Sequence, residues 1–325
     1  MQQVTPEYVE IEFVVEPNYA GWRLDKYLCV KIRRLSRTRI QGIIERGLIS
    51  ERPLKPSSLV VAGQRFKLKR PVHDEPEAPK NIGEIHLDEH LLVLDKPAGL
   101  PIHPTARYHK NTLLTVLKEK YRFQADPVHR LDRETSGLIV CGRTTEACRW
   151  MFRAFIEGGV EKEYLAITEG APPEDTFEVD APIAEGTELI RIAVRIDAQE
   201  GKPSRTRFQV LDRFERDGAR FALVRAFPET GRQHQIRIHL SVAGYPVVGD
   251  KMYGPDAGFF DRFSRHALEP EAWEKLRLPR HALHAAVIRF RHPGTGQPVR
   301  FEAPLPEDLV SFRAGAPVVF DSDAE

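Results

Sequence analysis

Long apolar runs are missing from this 325-residue chain, and no stretch approaches the ~18 residues that a membrane span needs. Cysteine is scarce: Cys29, Cys141 and Cys148 show no paired spacing. Three scattered thiols suit a reducing cytoplasm and speak against a disulfide framework or a cysteine zinc site. Net charge is nearly absent, at +1. Residues 1–20 are acidic and have no apolar signal core, which argues against secretion. There is no Gly-x-Ser-x-Gly elbow of a serine hydrolase and no His-Glu-x-x-His zinc motif. Gly294 and Gly296 belong to a Pro293–Gly296 turn with no helix behind it, so they are not a nucleotide loop.

What is present describes a globular protein, with 41% apolar and 29% charged residues. The length favours two domains. The small net charge hides a strong asymmetry. Residues 21–50 carry eight Lys/Arg against Asp25 and Glu45, and residues 71–90 carry six acids against Lys80. A basic module followed by an acidic linker is a pattern of nucleic-acid-binding proteins. The expected division is an N-terminal arm (1–20), a small basic module (21–70), a Pro-rich semi-stiff linker (71–82), a large domain (83–312) and a tail (313–325).

In the arm, Val9–Val15 reads as a strand. In the basic module, Leu24, Leu28 and Ile32 fall at helical spacing, and Ser36 is placed to cap a helix from Arg37 to Arg46 that Gly47 ends. Leu48–Ile49 and Arg65–Leu68 read as short strands. Lys31, Arg33, Arg34, Arg37 and Arg39 crowd the junction between the helices with no acid among them. The bland alternative is a solvated face, but pairing within one helix cannot be the purpose of such a run.

The large domain alternates strand and helix signals. Leu91–Leu94, Leu138–Cys141, Lys162–Ile167, Phe177–Ile183, Arg191–Ile196, Ser204–Phe214, Arg220–Phe227 and the run to Phe290 read as strands. Asn111–Tyr121, Glu146–Glu157 capped by Thr144 or Thr145, and Thr230–Leu240 read as helices. Residues 258–280 read as an insertion with a short helix around Trp273, and the chain from Asp321 as an acidic, disordered end.

One stretch organises the rest: Pro127 to Val140, in which Asp132 stands between Arg130 and Arg133 just before an apolar strand. Charge beside a core strand is costly unless paired or used. Asp132 and Arg130 could be plain turn and capping groups. The whole string, His-Arg-Leu-Asp-x-x-Thr-Ser-Gly from His129 to Gly137, resembles the signature of the RluA-type pseudouridine synthases. Asp95–Pro104, Gly231–His239 and Pro246–Tyr253 are similar to further motifs of that family, over about residues 21–305. The basic module resembles the S-four-type RNA-binding domain, in the strings Arg23–Leu28, Ser36–Gln41 and Gly47–Ile49, although Ser50–Pro53 replaces its usual Val-Asn-Gly turn.

The resemblance implies the following. Asp132 is the nucleophile. Tyr164, thirty-two residues later in a Lys-x-Tyr-x-Ala string, packs on the target base and is a possible proton carrier. Arg237 keeps Asp132 ionised. Arg130 fills the gap left by a flipped nucleotide, His129 lies with it on the substrate side, Leu283 packs on the uracil, and Lys31, Arg33, Arg34, Arg37 and Arg39 hold RNA. Lys96 is either a surface cation or a support of the cleft. No metal, nucleotide or redox cofactor is expected. The expected substrate is structured RNA, large-subunit ribosomal RNA first and transfer RNA second, acted on by a cytoplasmic monomer without membrane contact.

Rival readings remain at this level: a glycosidase pairing Asp132 with Glu134, or a non-catalytic RNA-binding or ribosome-assembly protein on the same fold. A zinc site on His234 and His239 is rejected for want of a third ligand. The expected fold is α/β (α+β): a mixed, mainly antiparallel sheet with flanking helices, plus a small α/β RNA-binding domain.

Overall fold

Leu24, Tyr27, Leu28, Ile40 and Ile44 recur at helical spacing, and all five are at most 3% exposed, so two short helices bury one shared face. The computed structural model describes residues 8–32, 36–71, 75–105, 108–186, 193–256, 258–264, 267–318 and 320. It falls into two units, Met1–Glu75 and Pro76–Glu325.

The first unit runs β1 (Tyr8–Val14), α1 (Leu24–Lys31), α2 (Arg37–Gly47), β2 (Leu48–Ile49) and β3 (Arg65–Pro71). Ser36 caps α2, its Oγ accepting the Arg39 N–H at 3.4 Å. The helix runs through Gly47 instead of stopping before it. Glycine is needed there because a Cβ would lie 2.9 Å from the Lys69 carbonyl oxygen of β3. The sheet is antiparallel in the order β1-β3-β2. The expected arm is therefore corrected: β1 pairs with β3 along its whole length, from Tyr8↔Pro71 to Val14↔Arg65. β2 covers only two residues of one edge of β3, and β1 covers the whole of the opposite edge, which would otherwise stand open.

The second unit contains β4 (Gly83–Leu87), β5 (Leu91–Lys96), α3 (Leu113–Lys120), β6 (Asp126–Pro127), β7 (Ser136–Gly142), α4 (Thr145–Ile156), β8 (Glu161–Glu169), β9 (Thr176–Asp180), β10 (Ile183–Glu185) and β11 (Val194–Ile196). It continues with β12 (Arg205–Arg216), β13 (Ala219–Pro228), α5 (Gln235–Val242), α6 (Phe259–Ser264), α7 (Pro270–Leu276), β14 (Leu283–Arg291), β15 (Pro298–Glu302) and α8 (Glu307–Arg313). Ten strands form one sheet with the path β4-β5-β7-β14-β8-β13-β12-β9, β15 pairing with β14 and β6 with β7. The β7–β14 contact is parallel, His284↔Ser136 and Ala285↔Gly137, and the other pairs are antiparallel. All seven residues of β7 are buried, as its apolar run requires of a central strand, whereas β12 begins with the alternation of a half-exposed one.

Four expectations change here. The linker is not free from Pro76 onward: the Pro76 carbonyl accepts a bond from Asn111 Nδ2 at 2.9 Å, and Ile82 is 5% exposed in the core. The tail packs: Arg216 donates to the Phe312 and Ala316 carbonyls at 2.8 Å, and Phe320 lies against Trp273. Residues 321–325 lie outside the described residues. The helix expected from Thr230 begins only at Gln235, because His234 adopts a left-handed conformation, φ 53°. The 177–183 strand breaks into β9 and β10, and residues 187–192, including the start of the 191–196 strand, lie outside the described residues. The insertion does hold a helix at Trp273, α7, with Phe259, Ala272 and Leu276 forming its own small core. Among the described residues, no helix is long and apolar enough to cross a membrane.

Candidate active site

Asp132 sits in the loop between β6 and β7, where the Thr135 N–H closes a turn on its carbonyl at 3.1 Å. Two features fix that loop. On one side, Lys96 is fully buried and donates to the carbonyls of Pro97 (2.8 Å), Leu100 (3.0 Å) and Arg133 (3.1 Å), while the Gly99 N–H also reaches the Arg133 carbonyl at 2.8 Å. Lys96 is thus no surface cation. Burial, with the charge of Arg280, pulls its ammonium down to about 7. On the other side, Thr135 meets His281 Nε2 at 2.7 Å and Ser136 meets His284 Nδ1 at 3.0 Å, tying the loop to the start of β14. Gly137 makes the parallel contact possible: at φ 105° an added Cβ would lie 2.3 Å from the Ala285 oxygen.

Ala285 of β14 pairs with Gly137 on one flank and Tyr164 of β8 on the other, so the three residues form a row across three strands. That row brings Tyr164 to the Asp132 loop. Burial, reinforced by the charge of Asp132, pushes the Tyr164 phenol above its ordinary value, so the hydroxyl stays protonated. From the other side comes α5, whose residues 235–240 are all buried. Arg237 there donates Nη1 to Asp132 Oδ2 at 3.0 Å. Its Nε and Nη2 bind Asp250 Oδ2 and Oδ1 at 2.6 and 2.8 Å. Burial alone would weaken the guanidinium's hold on its proton; the Asp250 carboxylate overcomes this and raises it above the ordinary arginine value.

These groups line a cleft of about 780 Å³, in which Arg130, Asp132, Tyr164, His234, Arg237 and Leu283 face one another. The structure thus brings together the large-domain residues to which the resemblance gave a catalytic or substrate role. Arg130 is exposed at the mouth and has no carboxylate partner among the described residues. Leu283 is 5% exposed, an apolar wall. His129 also lines the cleft, but its Nε2 accepts the Val140 N–H at 3.0 Å and its ring packs on Phe155, so it contributes a wall more than a free polar group.

In the small unit, two of the singled-out cations have partners that sequence spacing did not reveal. Asp25, fully buried, accepts from Arg37 at 3.1 Å as well as from Arg23 and Gln41. Lys31 is ion-paired with Glu16 and lies over the Tyr19 ring. Arg39 is exposed, and its guanidinium has no carboxylate partner among the described residues. Arg33 and Arg34 lie outside the described residues.

Glu134 cannot serve as a second cleft carboxylate. It accepts from Lys251 at 3.1 Å, from Arg133 at 3.0 Å and from the His281 N–H at 3.2 Å, and it is not among the cleft-lining residues. His234 and His239 do not converge: His239 is taken up by Thr206, Ser204 and the Ala181 carbonyl, and His234 by Tyr253. Elsewhere, His86, Asp88 and His292 meet closely enough to suggest a metal. His292 Nδ1 accepts the Gly294 and Thr295 N–H groups, so its Nε2 carries the proton and donates to Asp88 at 2.9 Å instead of offering a lone pair.

Asp250, Tyr253 and the orientation of His234 were missed in the sequence. Asp250 follows the apolar pair Val247-Val248, and a charge beside buried residues is the signal that singled out Asp132.

Residues 90–242 match the family described as RNA pseudouridylate synthase. The chain is 36% identical to the ribosomal large subunit pseudouridine synthase D of Nitrosomonas europaea, over 93% of this chain and 86% of that one. It is 34% identical to the ribosomal large subunit pseudouridine synthase C of Escherichia coli, over 89% and 91%. Among solved structures, human RNA pseudouridylate synthase domain containing 1 superposes with a TM-score of 0.59 at 27% identity, covering 77% of this chain and 94% of that one.

Proposed function

The chain belongs to the RluA-type RNA pseudouridine synthases, and from that premise we propose that it isomerises uridine in large-subunit ribosomal RNA with Asp132 as its nucleophile. The reaction breaks the bond between ribose C1′ and uracil N1, turns the base, and joins C1′ to C5, whose proton is lost as N1 gains one. No atom enters or leaves overall, so the reaction needs no co-substrate.

The observation that carries this reading is the Asp132–Arg237 pair, 3.0 Å long, in the cleft that Tyr164 and Leu283 line. Covalent catalysis by a carboxylate needs it ionised while the arriving base strips its water. Arg237, anchored by Asp250, supplies the offsetting charge. Tyr164 and Leu283 hold the uracil between an aromatic and an aliphatic side chain. Arg130, exposed at the mouth, takes the place of the flipped nucleotide. Flipping costs a few kcal/mol, least for an unpaired base. Asp132 attacks either the sugar or the base.

The two bacterial relatives that carry a ribosomal large-subunit name align over nearly the whole chain and support that substrate over transfer RNA. The three unpaired cysteines support a protein of the reducing cytoplasm. The test is single-turnover conversion by Asp132→Asn, with RNA affinity measured alongside. Conversion is expected to vanish with affinity retained, and conversion at the wild-type rate would remove Asp132 from the role. Mapping pseudouridines in ribosomal and transfer RNA from a deletion strain, with and without the restored gene, decides the substrate.

A further inference from the structure

His234 stands where the backbone resists it. Its φ of 53° and ψ of 17° place a residue bearing a Cβ in the left-handed region. The conformation does not serve the helix, because His234 at the N-terminus of α5 makes no side-chain capping bond. It turns the ring inward: the side chain is 7% exposed, and Nε2 comes within 3.6 Å of Asp132 Oδ1. Arg237 holds the other oxygen, Oδ2.

The far nitrogen defines the tautomer. Nδ1 lies 2.8 Å from the Tyr253 hydroxyl. That oxygen already accepts the Val194 N–H at 2.8 Å, so its own proton is free to be given to Nδ1. An Nδ1 that accepts leaves the imidazole proton on Nε2. The opposite tautomer would set a lone pair against a carboxylate oxygen, which only accepts. Burial also lowers the imidazole to about 4, against the raising influence of Asp132, so it is neutral near pH 7. The charged groups around it are Asp132, Asp250, Arg237 and Arg130, with Tyr253 on the opposite side.

We propose that His234 is a positioning residue for the isomerisation: a neutral imidazole, locked by Tyr253, that directs an Nε2–H at Oδ1 of Asp132 and so orients the carboxylate together with Arg237. The role rests on Asp132 being the nucleophile. At 3.6 Å the contact is longer than a hydrogen bond, as catalytic contacts without substrate often are, and it closes when the base covers Asp132. The residue is distinct from Arg237 in kind. Arg237 supplies charge, whereas His234 supplies direction without adding charge.

The experiment joins two readouts on the full-length chain. The first is nitrogen NMR of ¹⁵N-histidine-labelled protein at neutral pH, with the His234 resonances identified by their loss in His234→Asn. Asparagine tolerates the left-handed backbone, so that variant removes the ring without adding strain. The expected spectrum shows Nε2 protonated and Nδ1 bare, and Tyr253→Phe should release this tautomer. A protonated Nδ1 in the wild type overturns the proposal whatever Asp132 does. The second readout is turnover. His234→Asn should lower kcat by roughly 10- to 100-fold with KM for RNA unchanged, and Tyr253→Phe by about 3- to 10-fold. A His234→Asn enzyme within about 2-fold of wild-type kcat overturns the role. Failure of the Asp132 reading would show separately, as wild-type conversion by Asp132→Asn with the tautomer unchanged.

Discussion

Asp250 grips Arg237 through both of its carboxylate oxygens, at 2.6 and 2.8 Å, and leaves the Nη1 face of the guanidinium to Asp132. Asp250 is itself fixed, accepting the Met252 and Tyr253 N–H groups at 2.9 and 3.0 Å. The guanidinium that meets Asp132 is therefore aimed by a second acid, which is not among the residues lining the cleft.

Asp250→Asn should expose this arrangement. It keeps the shape but leaves a buried guanidinium with Asp132 alone for a counter-charge. Breaking one side of a buried ion pair costs about 3–5 kcal/mol. The denaturation midpoint should fall accordingly, and single-turnover conversion should drop by roughly 100-fold with RNA binding retained. An unchanged rate would mean that Arg237 needs no anchor.

Glu134 sets a pH dependence of stability. Burial alone would raise its carboxyl, but Lys251 and Arg133 outweigh burial and hold it at about 2, against an ordinary 4.5. A depressed carboxylate stabilises the fold above its unfolded value and loses that contribution as pH falls. About 3 kcal/mol should therefore disappear between roughly pH 5 and pH 2. Urea titrations across that range should show the slope in wild type and a flatter one in Glu134→Gln, the two curves converging in acid.

Arg37 and Arg39 should separate stability from RNA affinity. Arg37 serves the buried Asp25, so Arg37→Ala should lower the melting temperature of the small unit. Arg39 has no such partner among the described residues. Arg39→Ala should leave melting unchanged, weaken RNA binding, and reduce the slope of log K against log salt by about 1. Equal salt slopes for wild type and Arg39→Ala would take Arg39 away from the RNA.

Gly137→Ala should be among the most damaging single-methyl changes in the chain. It combines an unfavourable φ of 105° with a Cβ 2.3 Å from a backbone oxygen that cannot rotate away. A loss of at least roughly 3 kcal/mol is expected. Because the displaced contact joins the strands behind Asp132 and Tyr164, conversion should fall even where the variant remains folded, which circular dichroism and single-turnover rates on one preparation can test.

Much of this was readable in the sequence where the physics is local. The apolar run of β7, the Ser36 cap, a second cap at Thr144 or Thr145 that the structure places at Thr144, and the short helix at Trp273 all follow from neighbours within a few residues. The meeting of Asp132 with Arg237, 105 positions apart, came from the family's motifs and not from any spacing. Two partners of the small unit's charge run were hidden for the same reason: no acid lies within it, yet Asp25 and Glu16 reach it from earlier segments. His234 looked like a failed zinc ligand because its strain and its tautomer are properties of the fold, invisible in a string of letters.

The position of β14 also has a consequence for how the molecule is made. β7 and β8 are separated by a single helix, yet the slot between them is filled by residues 283–291. At about 5–20 residues per second, the chain from the end of β8 to the end of β14 takes on the order of ten seconds to synthesise. Throughout that interval two strands of the future sheet centre stand with open hydrogen-bonding edges, and such edges attract other strands. The nascent protein is therefore most prone to misassociation late in translation, and the ribosome, whose RNA it is proposed to modify, holds it through that interval.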